Sequence, residues 1–253
     1  MVHHVEHVGG GAVFTIDRQE KRNAVNDELM EALSAAVDLA ASDGTLRFFA
    51  VTGAGDAAFC SGGDLSEFHL LKTAEEAAPM LGKMADILLR MSRLPMPVIA
   101  LVNGHAVGGG CEIATACDYR LVRNTARCGY IQGTLAITTG WGGASHLFVK
   151  TGNHAGALRM LTESKVHTAQ ALLETGWATE TFDGDPEAAL NRFTERLGAI
   201  HPTVLRAYKQ AAVRKWDALG LESMIREEVA ECARLWAADA HHEAVDRFLN
   251  KKK

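Results

Sequence analysis

The chain has 253 residues, 47% hydrophobic and 23% charged, with a formal net charge of -5. That length buries a large core and suffices for one large domain with a small appendage, while the acidic balance excludes bulk nucleic-acid binding, which depends on a basic surface. Met1 to His7 holds no long apolar stretch and no apolar run elsewhere reaches roughly eighteen residues, so neither a secretion signal nor a membrane span is predicted. In chain order, alternation over Val5 to Ile16 around Gly9-Gly10-Gly11 predicts a β-hairpin. Asp27 to Ala41 follows with a helical repeat of Leu29, Leu33, Val37 and Leu39. Phe48 to Thr52 reads as a strand, Ala74 to Leu94 as a long amphipathic helix ended by Pro95 and Pro97, and Val98 to Val102 as another strand. Cys111 to Cys117 is a short helix and Asp118 to Val122 a strand. From about Asp185 strand signals vanish; Pro202 starts one helix and Gly220 separates the last two. This alternation predicts an α/β fold.

Cys60, Cys111, Cys117, Cys128 and Cys232 are odd in number, lack CxxC spacing and mostly sit in apolar runs, which points to buried free thiols and a reducing cytoplasm. His3, His4 and His7 resemble a ligand set, but a strand sets His3 and His7 on one face and His4 on the other, against a shared metal. Trp177, Trp216 and Trp236 read as packing residues.

Two glycine-rich turns carry the chemistry: Phe59-Cys60-Ser61-Gly62-Gly63-Asp64-Leu65 and Val107-Gly108-Gly109-Gly110-Cys111-Glu112-Ile113-Ala114. Each follows an apolar β-type run and precedes helix-forming residues. Glycine lets backbone approach a ligand closely, and amides at a helix start point outward unpaired. Two such amides, from Gly63 and Gly109, converging on one thioester carbonyl oxygen would stabilise an enolate. Alone, either glycine could serve only turn geometry, and Glu112 is favoured in a first helical turn by the helix dipole whatever its chemistry. Asp64 reads as securing its turn or capping the following helix.

Both turns, in this order and spacing, resemble the paired oxyanion-hole motifs of the crotonase superfamily, the enoyl-CoA hydratase/isomerase family. Lys21-Arg22-Asn23-Ala24-Val25-Asn26 resembles its early CoA-binding loop, and Gly220-Leu221-Glu222 with Ala244 to Lys251 resembles its last helices and basic tail. The resemblance implies a crotonase-type β-β-α spiral core over residues 1–190, with the CoA and active sites, and a helical trimerisation region over 191–253. It implies an acyl-CoA substrate and a homotrimer or hexamer, with no cofactor beyond the coenzyme A of the substrate and no metal. Lys21, Arg22, Ala24, Gly63, Asp64, Leu65, Trp141 and Lys251 would bind substrate, the adenosine end along Lys21 to Ala24 and the acyl chain near Trp141 and the Ala74 to Leu94 helix.

Hydratases of the family use two glutamates, one to deprotonate water and one to protonate the α-carbon. Glu112 matches the first. Counting back from Gly140-Trp141-Gly142-Gly143, the second position falls on Gln132, and an amide cannot trade protons near neutral pH. No replacement acid stands between Arg127 and Leu147, where Tyr130, Thr134, Thr138 and Thr139 are neutral. Such a wall suits decarboxylation of a malonyl-type thioester, which needs no base, and Arg93-Leu94-Pro95, Thr115 to Leu121 and Trp141-Gly142-Gly143 resemble the ethylmalonyl-CoA decarboxylase branch. Hydration or isomerisation by Glu112 with Gln132, and a catalytically silent acyl-CoA-binding or scaffold protein, are the alternatives.

Overall fold

The computed structural model describes residues 2–250. A hairpin of β1 (His3–Val8) and β2 (Gly11–Ile16) opens the chain, and α1 (Asp27–Ser42) follows. Three β-β-α units then succeed one another: β3 (Phe49–Gly53), β4 (Ala58–Cys60) with α2 (Leu65–Phe68) and α3 (Ala74–Ser92); β5 (Val98–Val102), β6 (His105–Val107) and α4 (Gly109–Ala116); β7 (Tyr119–Arg123), β8 (Arg127–Gly129) and α5 (Gly143–Lys150). After α6 (His154–Thr162), β9 (His167–Thr168), α7 (Ala169–Glu174) and β10 (Glu180–Phe182), the chain is helical: α8 (Pro186–Ala199), α9 (Pro202–Ala218), α10 (Leu221–Trp236) and α11 (Asp239–Asn250).

Each unit gives one strand to each of two sheets. The larger runs β1-β2-β3-β5-β7-β10 and the smaller β4-β6-β8-β9. Apart from the antiparallel hairpin, neighbours in the larger sheet are parallel, with Phe14 beside Val51 and Val51 beside Ala100. Parallel strands are covered on both faces, which is why β5 reads as an unbroken apolar run and is buried throughout. Its Val98, Ala100 and Val102 join the main core with α1, α3 and α4, while Ile99 and Leu101 turn to a second cluster against Ala189 and Leu190 of α8. The expected boundary at 190/191 thus falls inside a helix that covers the sheet.

Four local expectations need correction. Leu39 is 71% exposed, because it lies two residues past Val37 and so on the opposite side of α1; Met30, Ala36 and Ala40 complete the buried stripe instead. The long helix ends at Ser92 rather than Leu94, since the residue before a proline is pushed out of helical backbone. α4 starts at Gly109, two residues earlier than expected: Gly108, at φ +56°, turns the chain, and the next two glycines are already helical. Gly220, with φ +75°, divides α9 from α10, not the last two helices; a further break at Ala237 and Ala238, marked by neither glycine nor proline, sets α11 apart.

Asn103, 2% exposed between β5 and β6, ties the units together. Its amide nitrogen donates to Gly53 O at 2.7 Å and Gly55 O at 2.6 Å, and its carbonyl accepts from Gly53 N at 3.1 Å and the Thr52 hydroxyl at 3.2 Å.

Candidate active site

Parallel pairing of β4 with β6, Cys60 beside Ala106, brings the turns that follow these strands together. Gly62 adopts φ +92°, and a Cβ there would stand 3.1 Å from Gly109 N, so the two turns are in contact. A Cβ on Gly110 would lie 2.0 Å from Cys60 O, and one on Gly109 2.2 Å from the Trp141 ring; closeness of backbone and indole demands glycine at both. The first turn is fastened to the early loop by Val25 N donating to Gly62 O and Asp64 N to Val25 O, each at 2.8 Å. Gly63 N and Gly109 N donate to no acceptor among the described residues. Both glycines line one cleft of about 140 Å³.

The cleft is apolar over most of its wall. Leu65 and Phe68 of α2, Met80 and Leu81 of α3, and Ile131, Leu135, Ile137 and Trp141 line it. Among the described residues its lining includes no lysine or arginine, and Glu112 is the one carboxyl group there.

Glu112 is 3% exposed and all its partners are donors. Oε2 accepts from Trp141 N at 2.8 Å and Gly143 N at 2.9 Å; Oε1 accepts from Gln132 Nε2 at 2.9 Å and Gly140 N at 3.4 Å. Gly143 must be glycine, because a Cβ would lie 2.5 Å from Glu112 Cγ. Burial, and then the Glu228 carboxylate, push the Glu112 carboxyl up to about 8, against the opposing pull of the three backbone amides. The upward direction prevails because loss of hydration acts on the whole carboxylate. Gln132 gives its N–H to Glu112, and its Oε1 is buried with no partner.

The remaining expected residues divide. Leu65 and Trp141 line the cleft. Asp64 lies just behind it: 5% exposed, it caps α2 through Ser66 N at 3.0 Å and pairs with Arg18 at 2.9 Å. Burial raises its carboxyl, yet bonds from Ser66 and Arg18 outweigh that and hold it below the usual value. Lys21 is exposed, with Nζ 3.4 Å from the Ser66 hydroxyl. Arg22, exposed at φ +53°, lines a separate surface pocket with Ser61, His105 and Arg127. Ala24 is buried and gives its carbonyl to Arg18 Nη1 at 2.6 Å. Lys251 lies outside the described residues. The five cysteines are buried and free, and among the described residues no three His, Cys, Asp or Glu side chains gather as a metal site would require.

Sequence reasoning missed the far wall. Cys232 and Trp236 of α10 and His241 and Phe248 of α11 close the cleft, so Trp236 is a lining residue and not packing alone. His241 is 2% exposed, its Nδ1 lies 2.7 Å from Leu135 O and therefore carries the hydrogen, and its ring rests 4.7 Å from that of Trp236. Burial holds its pKa below the ordinary histidine value. Nothing in the local sequence marks these residues; only the docking of the tail brings them here.

A β-β-α spiral that sets two unengaged amides and one buried acid against an apolar cleft defines a class of enzymes acting on acyl thioesters. The chain belongs to the enoyl-CoA hydratase/isomerase family, whose model matches residues 7–253, and is an enzyme of the crotonase superfamily acting on an acyl-CoA. It is 30% identical over 242 residues to 2,3-dehydroadipyl-CoA hydratase of Escherichia coli (strain K12), covering 95% of this chain and 92% of that protein. It is likewise 30% identical over 250 residues to ethylmalonyl-CoA decarboxylase of Gallus gallus, covering 96% and 81%. The fold is similar to that of an enoyl-CoA hydratase/isomerase from Xanthobacter autotrophicus Py2, with TM-score 0.88 at 25% identity over 98% of this chain and 93% of the other.

Proposed function

We propose that this enzyme decarboxylates a malonyl-type thioester, methylmalonyl- or ethylmalonyl-CoA. The observation that carries the reading is a cleft lined, among the described residues, by one carboxyl group and no lysine or arginine. A substrate carboxylate held there is stripped of water and finds no counterion among the described residues, while Gly63 and Gly109 amides offer its negative charge a better place on the thioester oxygen. The bond from the α-carbon to the carboxylate breaks, carbon dioxide leaves, and the electron pair forms the enolate. Glu112 then gives its proton to the α-carbon, and the carboxylate left behind keeps its bonds from Trp141, Gly143, Gly140 and Gln132. Solvent restores the proton. Gln132 is the orienting partner of Glu112 and needs no titration in this scheme. Binding energy from the CoA moiety, with adenosine along Lys21 to Ala24, offsets the cost of the buried charge.

The test is a panel of methylmalonyl-, ethylmalonyl-, crotonyl- and 3-enoyl-CoA followed by mass analysis. Loss of carbon dioxide from the malonyl thioesters is expected; gain of water by crotonyl-CoA, or isomerisation of the 3-enoyl thioester, with the malonyl substrates untouched would sink the reading. The same reading keeps residues 1–190 as the spiral and 191–253 as the assembly region of a homotrimer or hexamer. Exposed Ile200, Val204 and Tyr208 support it with an apolar strip on and beside α9, and light scattering measures the mass.

A further inference from the structure

Two carboxylates from different helices hold the start of α5. Glu112 of α4 accepts from Trp141 N and Gly143 N; Glu228 of α10 accepts from the next two amides, Ala144 N at 3.3 Å and Ser145 N at 2.8 Å, and from the Ser145 hydroxyl at 2.6 Å. Helix starts carry partial positive charge that attracts anions, and here one such end is shared between two. Glu228 does not line the cleft, and no cation pairs with it among the described residues. We propose that Glu228 is a positioning residue for the active-site acid: by capping the amides beside those that grip Glu112, it fixes that grip and sets a second negative charge against the acid.

Among the described residues, the other groups around Glu112 leave Glu228 as the one like charge at this helix end. Cys111 on its own helix, Tyr130 after β8 and Cys232 of α10 are all pushed up by burial and stay uncharged at neutral pH. His146 of α5 is fully buried and neutral, its pKa driven down by burial. Lys150 lies at the opposite end of α5, where it donates to Ala116 O and Cys117 O at the close of α4. Burial is the larger cause of the raised Glu112 carboxyl, and the neighbouring Glu228 anion adds to it by disfavouring ionisation, which helps keep Glu112 protonated and ready to donate.

The inference rests on Glu112 being the acid of the proposed reaction, but it is tested without turnover. The carboxyl resonance of Glu112 in protein carrying ¹³C-labelled glutamate, identified by its loss in Glu112→Gln, is titrated with no substrate present. The wild-type midpoint is expected near the value of about 8. Glu228→Gln, which keeps an acceptor for Ser145, should lower it by about one pH unit or more, and the pH profile of kcat/KM should move with it. An unmoved midpoint in a folded Gln variant, checked by circular dichroism, overturns the proposal. Ser145→Ala removes the hydroxyl that partly neutralises Glu228 and should raise the midpoint by a few tenths of a unit, on the order expected for a single hydrogen bond. No rise there overturns the proposal as well, whether or not the Gln variant folds. Absence of decarboxylation would sink the reaction assignment while leaving this titration readable.

Discussion

Replacing Glu112 by Gln removes the one carboxyl group that the described residues give to the cleft lining and leaves its volume almost unchanged. The new amide oxygen can still accept from Trp141 N and Gly143 N, and the Gln132 carbonyl, buried and unpartnered, can turn to take the new N–H. Folding should therefore survive while proton delivery is lost. We expect kcat to fall by roughly 10²- to 10⁴-fold with CoA-thioester affinity little changed, and an undiminished kcat would remove Glu112 from the mechanism. Stability supplies a second reading. The Glu112 carboxyl is raised from 4.5 to about 8, so between those limits the folded state binds more protons than the unfolded one. Its contribution to stability falls as pH rises through this window, and urea midpoints measured from pH 5 to 8 should decline less steeply in Glu112→Gln than in the wild type.

At the scale of elements, the β-β-α repeat works because successive turns are held in line, and Asn103 is one of the ties. Asn103→Ala removes a partner of the Gly53 N–H and of two carbonyls in largely buried surroundings, while the Thr52 hydroxyl keeps Leu101 O at 2.9 Å. An unfolding-stability loss of about 2–4 kcal/mol is expected, with the urea midpoint as the measure; a loss below about 1 kcal/mol would mean that water replaces the side chain. The long elements were legible in the sequence because period and punctuation agree: α1, α3 and β5 each pair an apolar pattern with a cap or a proline. The short strands β4, β6 and β8 hold three residues each, too few for a period to show, so the second sheet was visible only through family resemblance. The two glycine turns were legible for a physical reason, since backbone crowding there admits no side chain. Glu228, Arg18 and His241 were not, because each acts through contacts made across the fold: Arg18 to Asp64, Glu228 to α5, His241 to Leu135.

Across the whole molecule, the spiral supplies the amides and the acid, and the helical tail closes the cavity around them. α10 brings Cys232 and Trp236, and α11 brings His241 and Phe248, to the wall facing Glu112 and the two turns. The tail also reaches the chemistry through backbone. His241 donates from Nδ1 to Leu135 O, the last residue of the 3₁₀ turn Gln132–Leu135, and Gln132 at the other end of that turn donates to Glu112. His241→Ala should free this turn, admit water to the cleft and loosen the partner that orients the acid. A drop in kcat/KM on the order of tenfold is expected, since small displacements of positioned groups are costly in rate. His241→Gln, whose side-chain amide can donate to the same carbonyl, should recover most of the loss. If both substitutions leave kcat/KM at the wild-type level, the tail covers the cleft without taking part in its alignment.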